Sequence, residues 1–142
     1  PAEKDYLDKI NKIIKDMKLE KRVIITNKTY KLDEQIEKLD EAKIFILPSK
    51  TEGMPQVLVE AMARGKIVLA SDNLASRDLI IDKINGFLFE NGNSKDLADK
   101  INLILKMNKP DIERIKKEAR KSVGQFSWNK IINKIENLIK DK

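Results

Sequence analysis

At 142 residues, with 29 lysines and arginines against 23 aspartates and glutamates, the chain carries a net charge of +6 and is the size of one domain with a core of its own. It has no cysteine and no histidine, which excludes a disulfide framework, thiolate chemistry, and the commonest general base and metal ligand. No apolar run reaches the length of a membrane span, the lysines are interleaved with acids, and aromatics are few, so neither a bilayer span nor a stacking platform for nucleic acid is expected.

The chain opens on a charged segment, PAEKDY, with no initiator methionine and no apolar leader. This predicts a cytoplasmic protein, and a piece cut from a longer one. Tyr6, Leu7, Ile10, Ile13, Ile14 and Met17 recur at helical spacing over residues 3–18. Arg22 to Thr26, RVIIT, reads as a short buried strand. Leu32, Ile36 and Leu39 mark a helix over residues 32–41. Lys43 to Leu47, KIFIL, is a second apolar strand stopped by Pro48. A helix follows from Pro55 to Arg64, with proline at its start and Gly65 as a left-handed cap. Ile67–Ala70 is a third strand and Arg77–Ile81 a helical turn. Asn85-Gly86 is a turn, and Phe87–Phe89 is a fourth strand. Ser94 is the expected N-cap of a helix reaching Met107. Pro110 opens another helix to Val123. The last runs from Ser127 to Lys140, with Trp128, Ile131, Ile132, Ile135, Leu138 and Ile139 on its apolar side.

Strands that alternate with helices, each strand a continuous apolar run, predict a mostly parallel α/β sheet in one domain over residues 1–142. Four strands are few for such a sheet, and a further one before residue 1 is expected.

Chemistry concentrates between Pro48 and Gly65, PSKTEGMPQVLVEAMARG, where Glu52 and Glu60 stand with seven residues between them. In parallel sheets ligands bind beyond the C-terminal ends of the strands, and this loop follows such an end. The helix start offers unpaired N–H groups and a positive dipole end to a phosphate, and Gly53 lets backbone approach a ligand. Eight helical steps span about 12 Å, the scale of a ligand with hydroxyls at both ends and an anion between. A nucleotide-diphospho-sugar fits: sugar hydroxyls at Glu52, diphosphate at the helix start, ribose hydroxyls at Glu60. Glu60 is the one acid among Val57, Leu58, Val59, Ala61, Met62 and Ala63, a position that disfavours an unpaired carboxylate if buried. Two plainer readings stay open: Glu52 as a loop acid favoured by the helix dipole, and Glu60 as a solvent-facing position.

The ordered set Arg22–Thr26, Ile46-Leu47-Pro48-Ser49, Thr51-Glu52-Gly53-Met54-Pro55, Leu58-Val59-Glu60-Ala61-Met62-Ala63, Gly65, Val68-Leu69-Ala70-Ser71-Asp72, Asn85-Gly86-Phe87-Leu88 and Phe126-Ser127-Trp128 resembles the C-terminal domain of retaining glycosyltransferases of group 1 (family 4), which have the two-domain GT-B fold. The resemblance covers Val23 to Trp128. It implies a Rossmann-like three-layer domain, one half of a GT-B enzyme, that binds a nucleotide-sugar without metal or other cofactor. It makes Glu52 the catalytic-site carboxylate that meets donor-sugar hydroxyls. Gly53, Met54, Pro55, Gln56 and Val57 become the loop whose N–H groups meet sugar and diphosphate, Glu60 the ribose partner, and Thr26, Asn27 and Lys28 the border of the base. A glycan or lipid-linked acceptor would be held by an N-terminal domain lying before residue 1, and peripheral association of the full-length enzyme with a membrane stays open. The fragment alone is expected to be inactive.

Three departures from the family pattern stand out. Thr26-Asn27 replaces threonine-glycine, and asparagine tolerates the left-handed turn glycine would make. Leu74-Ala75 replaces a glycine pair, and Arg77-Asp78 replaces proline-glutamate. The family's arginine–lysine pair on the diphosphate has no counterpart, and Lys50 is a poor substitute by position. The altered loop at Leu74–Asp78 is the main support for an alternative, a non-catalytic α/β scaffold or partner-binding domain that kept the fold, which a lysine-capped Glu60 on an exposed face would favour. A receiver-like signalling domain fits less well, because no pair of acids follows the first strand.

Overall fold

The described residues fall into two compact units, the first ending at Lys31 and the second beginning at Leu32. The structure is a computed structural model that describes the backbone of residues 2–140, and side chains for all of these but 2, 3, 128, 134, 135, 138 and 140. Trp128, Ile135 and Leu138, assigned above to the apolar side of the last helix, therefore lie outside the described side chains.

The first unit holds α1 (Ala2–Asp16). Lys18, at φ +56°, turns the chain left-handed, and the N–H groups of Lys18 and Leu19 close on the carbonyls of Lys15 and Ile14 at 3.0 and 2.9 Å. Arg22 and Val23 donate to the Leu19 carbonyl at 2.8 and 3.0 Å, so the expected strand is drawn into this turn at its first residues. Arg22–Thr26 forms no strand: it belongs to no sheet among the described residues, and Ile24 is 91% exposed. A β-branched run becomes a strand only where a neighbour offers ladder partners and a face to bury. Asn27 does not take the left-handed turn suggested for it, since Lys18 and Lys83 are the positive-φ residues other than glycine among those described.

In the second unit the order is α2 (Leu32–Glu41), β1 (Ile44–Leu47), α3 (Gln56–Ala63), β2 (Ile67–Ser71), α4 (Leu74–Leu79), β3 (Phe87–Phe89), α5 (Ser94–Leu105), α6 (Lys109–Val123), a 3₁₀ turn (Gly124–Phe126) and α7 (Trp128–Lys140). Three strands form the sheet where four were expected. All are parallel in the order β1-β2-β3, with Ile44 opposite Ile67 and Leu69 opposite Phe87. β2 is central and buried at every residue, while β1 is half-buried. The strand's period of two sends Val68 and Ala70 to a cluster with Leu58, Ala61 and Met62 of α3 and Ala119 and Val123 of α6. Ile67 and Leu69 gather with Phe87, Phe89, Ile104 and Ile115. Both faces of the sheet are thus covered, which is why these strands read as continuous apolar runs.

Local chemistry sets the helix boundaries. The N-cap of α5 is Asn93, whose Oδ1 accepts from Lys95 and Asp96 N–H at 3.1 and 3.0 Å, and Ser94, expected there, is the first helical residue. Asn108 caps α6 in the same way, accepting from Asp111 N–H at 2.9 Å. At the end of α3, Gly65 takes φ +67°, where a Cβ would also strike the Arg120 guanidinium. Buried Asn85 accepts from Ile81 N–H at 2.7 Å and donates to the Leu79 carbonyl at 3.0 Å, which accounts for the Asn-Gly turn before β3.

Candidate functional site

Three loops leave the C-terminal ends of the parallel strands, and short side chains stitch them together. Buried Ser71, at the end of β2, donates its Oγ–H to the Ser49 carbonyl. Asn73 Nδ2 donates to the same carbonyl at 2.9 Å, while Asn73 Oδ1 accepts from Ser76 N–H at 2.9 Å and so caps α4. From the loop after β3, Asn91 Nδ2 reaches the Lys50 carbonyl at 2.9 Å. The segment Pro48–Pro55 is therefore pinned at its first half and free over Thr51–Met54, all exposed. Ser71 belonged to a motif quoted from the sequence, but the bracing roles of Asn73 and Asn91 were not foreseen. The cap signal, an asparagine three residues before Ser76, could have found the former.

The free half of the loop feeds α3, an eight-residue helix whose N-terminus is unlike those of α4, α5 and α6. Those three carry an asparagine that accepts from first-turn N–H groups. In α3 the N-cap is Pro55, with no side-chain bond and no acid in the first turn. Leu58 and Val59 N–H both donate to the Pro55 carbonyl, at 3.0 and 3.3 Å. The N–H groups of Gln56 and Val57 precede the first helical bonds and are the donors a helix leaves open. Gln56 and Val57 are exposed, Val57 by 48%. The positive end of a helix dipole thus stands uncapped at the edge of the sheet.

The sequence-predicted residues of the second unit distribute around this point. Glu52 is exposed in the free loop, and among the described residues its carboxylate has no partner. Gly53 has open space around it, nothing lying within 4 Å of where a Cβ would stand. Gly53, Met54 and Pro55 line a cleft of about 270 Å³ with Ala75, Asp78, Leu79 and Phe126. Glu60 lies one helical turn beyond Gln56, about 6 Å along the axis. It is exposed, because Leu58, Ala61 and Met62 take the inward face of α3. The burial penalty considered for Glu60 therefore does not arise. Its carboxylate has no partner among the described residues, lysine included, and it borders a groove of about 260 Å³ whose walls are Leu32, Gln35, Ile36, Leu39, Ala63 and Arg64. Thr26, Asn27 and Lys28 belong to the first unit, where Lys28 N–H donates to Thr26 Oγ1 at 3.2 Å and Lys28 Nζ stands 5.3 Å from the Tyr30 ring centroid.

The departures after β2 have a local explanation. Leu74 and Ala75 begin α4, with Leu74 78% exposed and Ala75 buried, so the glycine pair is replaced by a helical turn. Arg77 folds back on Asp72 in two parallel bonds, Nε to Oδ1 at 2.5 Å and Nη2 to Oδ2 at 2.8 Å. The hydrogen bonds from Arg77 hold the Asp72 carboxyl below the usual aspartate range against the opposing effect of burial. Asp78 is left with no partner among the described residues at the cleft beside Gly53. No group of three histidine, cysteine, aspartate or glutamate side chains gathers among the described residues.

Comparison with known proteins bears on this arrangement. Over 132 residues the chain is 33% identical to the poly(ribitol-phosphate) alpha-N-acetylglucosaminyltransferase of Staphylococcus aureus (strain COL), covering 92% of this chain and 26% of that protein. Over 94 residues it is 34% identical to the N,N'-diacetylbacillosaminyl-diphospho-undecaprenol alpha-1,3-N-acetylgalactosaminyltransferase of Campylobacter jejuni, covering 66% of this chain and 25% of that one. The chain thus spans about a quarter of the length of the curated relatives it matches. The solved structure of Anabaena HepE in complex with UDP and glucose matches with a TM-score of 0.85 at 26% identity, over 99% of this chain and 38% of that one. The fold is that of the C-terminal, Rossmann-like half of a GT-B enzyme. Residues 3–122 match the family described as Glycosyl transferases group 1, a stretch that includes the pinned loop, α3 and all three strands, and the chain belongs to that family.

Proposed function

We propose that the chain is the donor-binding half of a retaining glycosyltransferase, which takes a nucleotide-diphospho-sugar and passes its sugar to a glycan or lipid-linked acceptor held by another domain. The observation that carries this reading is the uncapped first turn of α3 at the C-terminal edge of a parallel sheet, with a carboxylate on either side of it that has no partner among the described residues. The match to HepE, a structure with UDP and glucose bound, supports it.

On this reading the Gln56 and Val57 N–H groups and the α3 dipole hold the diphosphate and take up the negative charge that grows on it as the glycosidic bond breaks. Glu52 accepts hydrogen bonds from donor-sugar hydroxyls, and its charge lies where positive charge develops on the sugar ring. Gly53, Met54 and Pro55 form the wall against which the sugar rests. Glu60 accepts from the ribose hydroxyls, and the apolar walls contributed by Leu32, Ile36 and Leu39 give the nucleoside a dry side. The leaving group departs and the acceptor enters at one face of the sugar, so the anomeric configuration is kept. Charge neutralisation by a helix N-terminus lets the reaction run without a metal ion. No helix among the described residues is long and apolar enough to cross a membrane. The enzyme works in the cytoplasm, at the inner face of the membrane where the acceptor is lipid-linked.

The scaffold reading expects Glu60 tied to a lysine, and its carboxylate has no such tie among the described residues. Calorimetry of the chain with UDP-, GDP- and ADP-sugars tests the proposal. Heat is expected with at least one donor, with affinity weakened about ten- to a hundredfold in the Glu60→Ala variant. A well-folded sample silent toward all of them would overturn it. In the full-length enzyme, Glu60→Ala raises the donor KM, Glu52→Ala lowers kcat, and a chelator changes neither.

A further inference from the structure

Glu60 and Arg64 are four residues apart on α3, the spacing and order that favour a glutamate–arginine ion pair along a helix. The geometry for one is present. Arg64, the C-cap, keeps helical dihedrals of −78° and −1°, and its N–H donates to the Glu60 carbonyl at 3.0 Å. Both side chains border the same groove. The pair is nevertheless not made. Arg64 turns to Asp40 at the end of α2, with Nε on Oδ1 at 2.7 Å and Nη2 on Oδ2. Asp40 is itself held from the other side of Gly65: Lys66 Nζ donates to its backbone carbonyl and stands 3.9 Å from its Oδ1. Glu60 is left with a carboxylate that has no partner among the described residues, beside a cation that its own helix presents to it.

We propose that Asp40 is a positioning residue that draws Arg64 away from Glu60, and so keeps the Glu60 carboxylate free to accept the hydroxyls of a nucleotide's ribose. The proposal rests on the donor-binding reading for the ligand, and on the three side chains alone for the diversion of Arg64. A two-point guanidinium–carboxylate fork is the geometry arginine prefers. Arg64 therefore stays with Asp40 while that carboxylate is present, and turns to Glu60, four residues before it along the helix and lining the same groove, when it is not. A carboxylate shared with Arg64 offers fewer lone pairs to a diol, so ligand and arginine compete for it.

Three variants test this: Asp40→Ala, Arg64→Ala and the double variant, each titrated with UDP, GDP and ADP at low and at high salt. Asp40→Ala is expected to weaken nucleotide binding about two- to fivefold at low salt, the factor by which an exposed ion pair competes for one carboxylate. The loss should shrink at high salt, which screens the competing pair, and should vanish when Asp40→Ala is made in the Arg64→Ala background. A merely structural Asp40 would weaken binding equally in both backgrounds and without salt dependence, and that result overturns the proposal. A crystal structure of the Asp40→Ala variant supplies a readout that needs no ligand: Arg64 on the Glu60 carboxylate supports the diversion, and Arg64 turned to solvent overturns it. A wild-type chain that binds none of the nucleotides counts against the donor-binding reading, while the position of Arg64 in the variant still decides the diversion.

Discussion

The two ends of α3 are built on opposite terms. Its C-terminus is closed by backbone and side-chain bonds. Gly65 and Lys66 N–H return to the Met62 and Ala61 carbonyls at 2.9 and 3.0 Å, the Arg120 guanidinium lies over Gly65, and Arg64 and Lys66 tie the turn to the end of α2. Its N-terminus has no cap, no acid and a loop pinned only up to Lys50. A helix end with all its groups satisfied has nothing to offer a ligand, and one left open has donors and a dipole to spare. Rigidity at one end and availability at the other are what the donor-binding proposal asks of a short helix that holds an anion.

The comparison can be broken from either end. The largest effect is expected from Glu60→Ala, which removes an exposed carboxylate that has no hydrogen-bond or ionic partner among the described residues. Losing hydrogen bonds to a charged group costs about 1.5–3 kcal/mol, so nucleotide affinity should fall about ten- to a hundredfold by calorimetry while the melting temperature stays put. Next is Gly65→Ala at the closed end. A left-handed backbone costs about 1–2 kcal/mol in a residue with a Cβ, and that loss should appear in urea unfolding with the affinity of the folded protein unchanged. Gln56→Glu sharpens the contrast within a single substitution. An acid in the first turn of α3 should stabilise the fold by about 0.3–1 kcal/mol through the dipole, yet weaken nucleotide binding by repelling the phosphate. Stability and affinity moving in the same direction would contradict the assignment of this terminus to an anion.

The smallest effect concerns pH. Hydrogen bonds from Arg64, followed by its charge and that of Lys66, hold the Asp40 carboxyl below the usual aspartate range. A carboxyl depressed in the folded state stabilises it above the unfolded value, and that contribution is lost as pH falls through the folded value. The pair is exposed, so solvent screening keeps its contribution modest. Urea unfolding of the wild-type protein and of Arg64→Ala should differ at neutral pH and converge as the pH falls below about 4.

How much of this was readable before folding varies by element. The helix over Gln56–Ala63 and its glycine stop were legible because proline, an apolar face and glycine act within one or two turns. The boundaries at Asn93 and Lys109 moved by a residue because asparagine caps compete with serine and proline for the same place. The strand expected at Arg22–Thr26 failed for a different reason: β-branched residues favour a strand but do not supply its neighbour. The bracing by Asn73 and Asn91 joins loops that sequence separates, by 24 residues from Ser49 in the first case and 41 from Lys50 in the second.

By itself the sequence determined the alternation of helices and strands, the buried character of β2, and the family through its ordered motifs, since all of these depend on local pattern. Tertiary structure decided which of its charged groups stand free. Whether Glu60 is paired depends on Asp40, 24 residues before Arg64 and on another helix. The outward turn of Glu60 depends on which face of α3 the sheet covers. A side chain's partner is chosen by distance in space, and only the packed chain sets that distance.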